Sequence, residues 1–123
     1  MRVFIIVTHP PYGGETVRSA LRIARRLAQD PQVELAVFLM ADAVYCARRS
    51  EAHAEGLYNP GLSLSYSAPQ MLAALSGTAE IFACGTCMGE RGFKEDELLD
   101  GVGVGTLDLL ADYAARADRL LTF

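Results

Sequence analysis

Hydrophobic residues enter this chain in two rhythms: short unbroken runs, and longer stretches where they recur every three or four positions. Val3 to Thr8 (VFIIVT) is an unbroken, β-branched run, the pattern of a central parallel strand covered on both faces. His9-Pro10-Pro11-Tyr12-Gly13-Gly14 is a loop of turn formers. From Thr16 the positions Val17, Ala20, Leu21, Ala24, Leu27 and Ala28 keep helical spacing up to a stop at Asp30-Pro31. Val33 to Met40 (VELAVFLM) then supplies a second buried strand, which completes one βαβ unit with an expected right-handed crossover.

Past that unit the rhythm weakens. Asp42 is placed to cap a short helix carrying Val44, Tyr45, Cys46 and Ala47 and ending in the polar Arg48 to Glu51. His53 to Tyr66 has no sustained period and reads as a loop, with Asn59-Pro60-Gly61 as a turn. Ser67-Ala68-Pro69-Gln70 matches a capping box with proline in the first turn, and opens a helix over Met71 to Leu75 that Gly77 stops. Ala79 to Ala83 (AEIFA) is a short buried strand. The stretch after it, to Glu90, reads as a short helix closed by Gly92 in a left-handed position, and Lys94 to Asp100 holds one charged helical turn. Val102 to Val104 is a brief strand between glycines, Thr106 and Asp108 start a helix through Ala117, and Arg119 to Phe123 (RLLTF) is the last strand. Strands and helices alternate without repeats or a linker. The expected class is therefore α/β, with a five-stranded, mostly parallel sheet in a single domain over 1–123.

Composition narrows the function. A chain of 123 residues that is 51% hydrophobic holds one substantial core. A net charge of -4, with Lys94 as the single lysine, argues against a nucleic-acid partner, which needs clustered cations. Arg18, Arg22, Arg25 and Arg26 do cluster, but opposite the apolar stripe of their helix, as a solvated face does. The run from Val3 to Val7 is cut by His9 and two prolines, too short for a signal segment or a membrane span, so a cytoplasmic protein without a membrane partner is expected. Three cysteines are an odd count, which speaks against a disulfide framework and for redox, metal or nucleophile chemistry.

Two of those cysteines stand one helical turn apart in Cys84 to Phe93 (CGTCMGERGF). Parallel strands share one C-terminal edge, where open α/β folds bind their ligands. The loops carrying His9 and Tyr12, Asp42 and Cys46, and Cys84 to Cys87 are expected to converge there. The Gly85-Thr86 turn into a helix places Cys84 at a helix N-terminus, where free N–H groups favour a thiolate, with Arg91 as a neighbouring cation. This nucleophile competes with a plain buried cysteine. Cys87 is placed to resolve a disulfide or sulfenic acid on Cys84, to hold transferred sulfur, or to pack beneath the loop. Gly85, Thr86, Arg91, His9, Tyr12 and Cys46 are the candidates to support the site or bind substrate.

The CxxC also fits a thioredoxin motif, yet no Trp precedes Cys84 and no proline-bearing partner loop is evident. Cys46, Cys84 and Cys87 with His9 or His53 would complete a zinc set, but only one pair has ligand spacing, so neither a metal nor a cofactor is expected. Gly13-Gly14 lacks the lysine of a P-loop and reads as turn geometry. Tyr58 and Tyr66 read as packing or interface residues.

The stretch CGTCMGERGF resembles the sulfur-relay DsrE/DsrF-like family, most of all its YchN-type members that carry a CxxC. The resemblance runs over nearly the whole chain. It takes in the buried first strand, the glycine-containing loop into an alanine-rich and arginine-rich helix, CxTCMxxRG after a strand, and the closing ADRLLTF. It implies a three-layer α/β/α sandwich with a five-stranded parallel sheet, assembled as homotrimers, homohexamers or mixed hexamers. It further implies that Cys84, eight residues before Gly92 of the RG pair, accepts sulfur as a persulfide. The expected function is a small sulfur carrier or sulfurtransferase-like protein working with sulfur donor and acceptor proteins. Cys87, absent from many relay proteins, leaves a dithiol redox role open, and an oligomeric binding or assembly protein without catalysis is the other alternative.

Overall fold

Five strands form one sheet in the order β4-β3-β2-β1-β5, where β1 is Arg2–Val7, β2 Glu34–Leu39, β3 Ala79–Cys84, β4 Val102–Gly105 and β5 Arg119–Thr122. The computed structural model describes residues 1–49 and 67–123. Every strand pair is parallel. The two unbroken apolar runs occupy the middle, where water reaches neither face. Val3, Phe4, Ile5 and Val7 of β1 and Leu35 to Leu39 of β2 are buried. The edge strands are short and more exposed, which limits the unpaired backbone they offer to other chains. The register sets Val7 beside Leu39 and Leu39 beside Ala83, so β1, β2 and β3 end at one level. The expectations at Asn59-Pro60-Gly61, His53, Tyr58 and Tyr66 fall outside the described residues.

Helix α1 (Thr16–Leu27) buries Val17, Ala20, Leu21 and Ala24, the stripe its periodicity foretells. Arg22, Arg25 and Arg26 are exposed on the opposite side. Helix α2 (Ala68–Leu75) starts as its sequence asks: Ser67 Oγ accepts the Gln70 N–H at 3.4 Å, and proline lies in the first turn. Between β2 and the undescribed segment the chain takes a 3-10 helix, Ala41–Ala47. Here the structure corrects the sequence reading. The N-cap is Met40, with extended backbone, and the Asp42 carboxylate caps nothing because it is drawn to Arg91. The helix also stops at Ala47, since Arg48 pairs with Leu98 in an antiparallel bridge.

The chain steps from β1 to β2, β3 and β4 in one direction and then crosses back to place β5 on the far side of β1. Right-handed crossovers keep the first three connections on one face and send the last to the other. Helix α4 (Leu107–Arg116), capped by Thr106 Oγ1 on the Leu109 N–H at 3.1 Å, accordingly lies on that second face. Its Tyr113 packs on Phe4 and Phe82, with ring centroids 5.6 and 5.5 Å away. This completes the α/β/α layering. A cavity of about 280 Å³ opens beneath α4, lined among others by Arg2, Phe4, Glu34, Glu80 and Tyr113. Its polar groups satisfy one another: Arg2 pairs with Glu34 at 3.3 Å, and the Tyr113 hydroxyl donates to Glu80 at 2.7 Å. Glu80 and Cys84 stand near opposite ends of β3, about 13 Å apart, so this cavity is remote from the cysteine loop.

Candidate functional site

β3 carries its extended backbone through Cys84 (φ -61°, ψ 117°), and helix α3 (Gly85–Glu90) begins at the next residue. Glycine fits there because of a close approach. A Cβ on Gly85 would lie 2.9 Å from Val104 Cγ1 on β4. Cys84 thereby becomes the N-cap, and its Sγ accepts the Cys87 N–H at 3.3 Å. The far end of the helix closes in a Schellman motif. Phe93 N–H reaches the Met88 carbonyl at 3.1 Å, Gly92 N–H reaches Gly89 at 3.2 Å, and Gly92 takes φ +73°. Met88 and Phe93, the hydrophobic pair that accompanies such a cap, are both buried.

That closure aims Arg91 back at the loop after β2. Its Nε donates to Asp42 Oδ1 at 2.9 Å and its Nη1 to the Cys87 carbonyl at 3.2 Å. The Asp42 carboxylate is the main reason the guanidinium holds its proton even more firmly than usual. The same loop supplies a second contact, the Ala41 N–H on Cys87 Sγ at 3.3 Å. Ala41 has φ +52°, a left-handed conformation that is costly for an alanine. The strained residue is the one that touches the thiol.

The two cysteines differ in access. Cys84 is only 3% exposed, whereas Cys87 is half-buried and stands nearer the surface. Burial is the first cause that pushes the Cys87 thiol up, and its hydrogen bond with Cys84 adds to it, while the Ala41 N–H and the Arg91 charge pull it back. The sulfur of Cys84 thus accepts from the backbone N–H of Cys87. The expected support from a helix dipole is small, because α3 has six residues. The contact made directly with the Cys84 sulfur is the Cys87 N–H.

The other expected members of the site are placed unevenly. Thr86 is exposed on the first turn of α3. Cys46 lies wholly inside the core, with its thiol pushed up to about 12 by burial, which makes it a packing residue. His9 and Tyr12 follow β1, separated from β3 by β2 and so about 10 Å across the sheet. Both are exposed, and among the described residues neither hydrogen-bonds a cysteine. No three His, Cys, Asp or Glu side chains gather around a metal position among the described residues. Sequence reasoning named Arg91 and set the loop carrying Asp42 at the same edge, but read Asp42 as a cap and not as the partner of Arg91, and missed Ala41 entirely. An acid three residues past the end of β2, the strand neighbouring β3, was the available signal for Asp42. Nothing local marks Ala41.

The family model for the DsrE/DsrF-like family matches residues 1–123. The chain belongs to that family. It is 36% identical over 124 residues to protein YchN of Escherichia coli strain K12, covering 99% of this chain and 98% of that protein. It is 31% identical over 127 residues to an uncharacterized protein of Methanocaldococcus jannaschii, with both chains fully covered. The crystal structure of E. coli YchN superposes with a TM-score of 0.83 over the full length of both chains. A protein of unknown function from Methanobacterium thermoautotrophicum, 19% identical, shares the fold with a TM-score of 0.70 over 99% of this chain and 97% of its own. The five-stranded parallel sheet expected from the sequence is thus the family's fold, and the family is associated with sulfur relay. Among the described residues no helix is long and apolar enough to cross a membrane.

Proposed function

We propose that this protein is a sulfur carrier in which Cys84 accepts sulfane sulfur as a persulfide. The observation that carries the reading is the placement of one sulfur: Cys84 ends β3, caps helix α3, and its Sγ receives the Cys87 N–H at 3.3 Å. That contact fixes the sulfur at the C-terminal edge of the sheet, where open α/β folds bind their ligands. In the loading step the Cys84 thiolate attacks the outer sulfur of a donor persulfide. The S–S bond of the donor breaks, a Cys84 S–S bond forms, and the donor leaves as its thiolate. Sulfur donor and acceptor proteins, and assembly into a homotrimer or homohexamer in the cytoplasm, belong to the same reading.

The test is acid quenching seconds after mixing with a small-molecule persulfide, followed by intact mass measurement. One added sulfur is expected on the wild type, on Cys46→Ala and on Cys87→Ser, and none on Cys84→Ser. An adduct that survives in Cys84→Ser, or its absence from all four proteins, overturns the assignment.

A further inference from the structure

The loaded sulfur has two fates that differ in which atom is attacked. An acceptor that attacks the outer sulfur carries it away as sulfane sulfur, whereas attack on the inner one, Cys84 Sγ, expels it as sulfide. Cys84 is 3% exposed, so an external thiol reaches its sulfur less readily than a thiol already inside the same loop does. One thiol stands beside it. Cys87 lies one helical turn on from Cys84, and its N–H donates to Cys84 Sγ at 3.3 Å. Its Sγ is held by the Ala41 N–H at 3.3 Å, and its carbonyl by Arg91, itself anchored on Asp42.

Resting on the carrier reading above, we infer that Cys87 is the resolving thiol: it attacks Cys84 Sγ of the loaded protein and discharges the sulfur as hydrosulfide. The Cys87 S–H proton goes to solvent, the Cys87 thiolate forms an S–S bond to Cys84 Sγ, and the bond to the outer sulfur breaks, with HS⁻ leaving. The sulfane sulfur gains two electrons and the two thiols lose two, so the products are one sulfide and one Cys84–Cys87 disulfide. An external dithiol, oxidised in turn to its disulfide, returns the pair to thiols. The contacts around Cys87 suit this role better than packing does. Burial raises the Cys87 thiol overall, but the Ala41 N–H on its sulfur and the Arg91 cation act in the opposite direction, and a buried packing thiol such as Cys46 has no such cation beside it. The reaction that consumes the product is then one that takes sulfide, not one that takes a protein-bound persulfide.

The experiment is single-turnover discharge. Wild type and Cys87→Ser are loaded with a small-molecule persulfide, freed of donor, and followed by intact mass and by sulfide release without added reductant. Wild type is expected to release one sulfide per chain and to finish two hydrogens lighter than the reduced protein, with Cys84 and Cys87 joined in one peptide. Discharge from Cys87→Ser is expected to be slower by a factor on the order of one hundred, because an intramolecular thiol is replaced by solution encounters. The wild-type rate is expected to rise with pH above neutrality, following ionisation of the raised Cys87 thiol, and the variant rate is not. Equal lifetimes of the loaded sulfur in the two proteins, or sulfide release that leaves no disulfide in the wild type, overturns this inference while the carrier reading stands. Failure of both proteins to take up sulfur overturns the carrier reading and the discharge step with it.

Discussion

Cys46 is fully buried in the 3-10 helix, and its surroundings push its thiol from the ordinary value of 9.0 up to about 12. At neutral pH its thiolate fraction is then about a thousandfold below that of an ordinary thiol. A more basic thiolate is a better nucleophile, and a Brønsted coefficient near 0.45 returns roughly twentyfold of that loss. The net effect is a labelling rate about fiftyfold below that of a free-thiol peptide, before steric shielding slows it further. The assay is iodoacetamide labelling of the native protein at neutral pH, with the three cysteine peptides counted by mass spectrometry over time. Cys87 is expected to label first and Cys46 last. Proton linkage gives a second reading of the same number. Above pH 9 the unfolded thiol ionises while the folded one does not, so the unfolded state binds fewer protons and stability falls as pH rises from about 9 towards 12. That loss is up to about 1.4 kcal/mol per pH unit, and Cys46→Ala removes it from the alkaline stability slope. Labelling of Cys46 within about tenfold of the free peptide, or an alkaline slope unchanged in Cys46→Ala, refutes the reasoning.

Three further outcomes follow from the same geometry. Arg91→Gln removes the cation beside Cys87 and the partner of Asp42, so the Cys87 thiol rises further and labels severalfold more slowly at neutral pH, while at strongly alkaline pH the variant and wild-type rates meet. Gly105→Ala places a Cβ 2.5 Å from Phe38 Cε2 and 3.1 Å from Phe82 Cβ, and the overpacking is expected to cost about 1 to 3 kcal/mol in urea denaturation. Ala41→Gly keeps the N–H that Cys87 accepts but relieves the left-handed backbone, so stability rises by about 0.5 to 1 kcal/mol after the extra entropy of the unfolded chain is counted; a loss of stability contradicts the strain assigned to Ala41.

Much of this protein was legible locally. The β-branched runs of β1 and β2, the stripe Val17, Ala20, Leu21 and Ala24, and the caps at Ser67, Thr106 and Gly92 each depend on neighbours within one or two turns, and each took its expected form. The cysteine loop was legible for the same reason. A strand ending at Cys84, a glycine to admit the turn and an RG pair to close the helix lie within one continuous segment.

What the local pattern lacked is any record of which strand ends stand side by side. Ala41 meets Cys87, and Asp42 meets Arg91, only because β2 and β3 are neighbours that end at one level. A left-handed φ at an alanine has no sequence signal, since alanine is a residue that avoids it. Asp42 was read as a cap because capping is the nearest local use for an aspartate, and an arginine far along the chain outcompeted it. The unequal access of the cysteines is likewise a property of the assembled layers. Periodicity and capping act over a few residues, so the elements, the parallel sheet and the thiol at the end of β3 could be read from the chain alone. Burial and long-range contacts arise only when the layers close, and they leave Cys84 3% exposed, leave Cys87 nearer the surface, and set Ala41 and Arg91 around that second thiol.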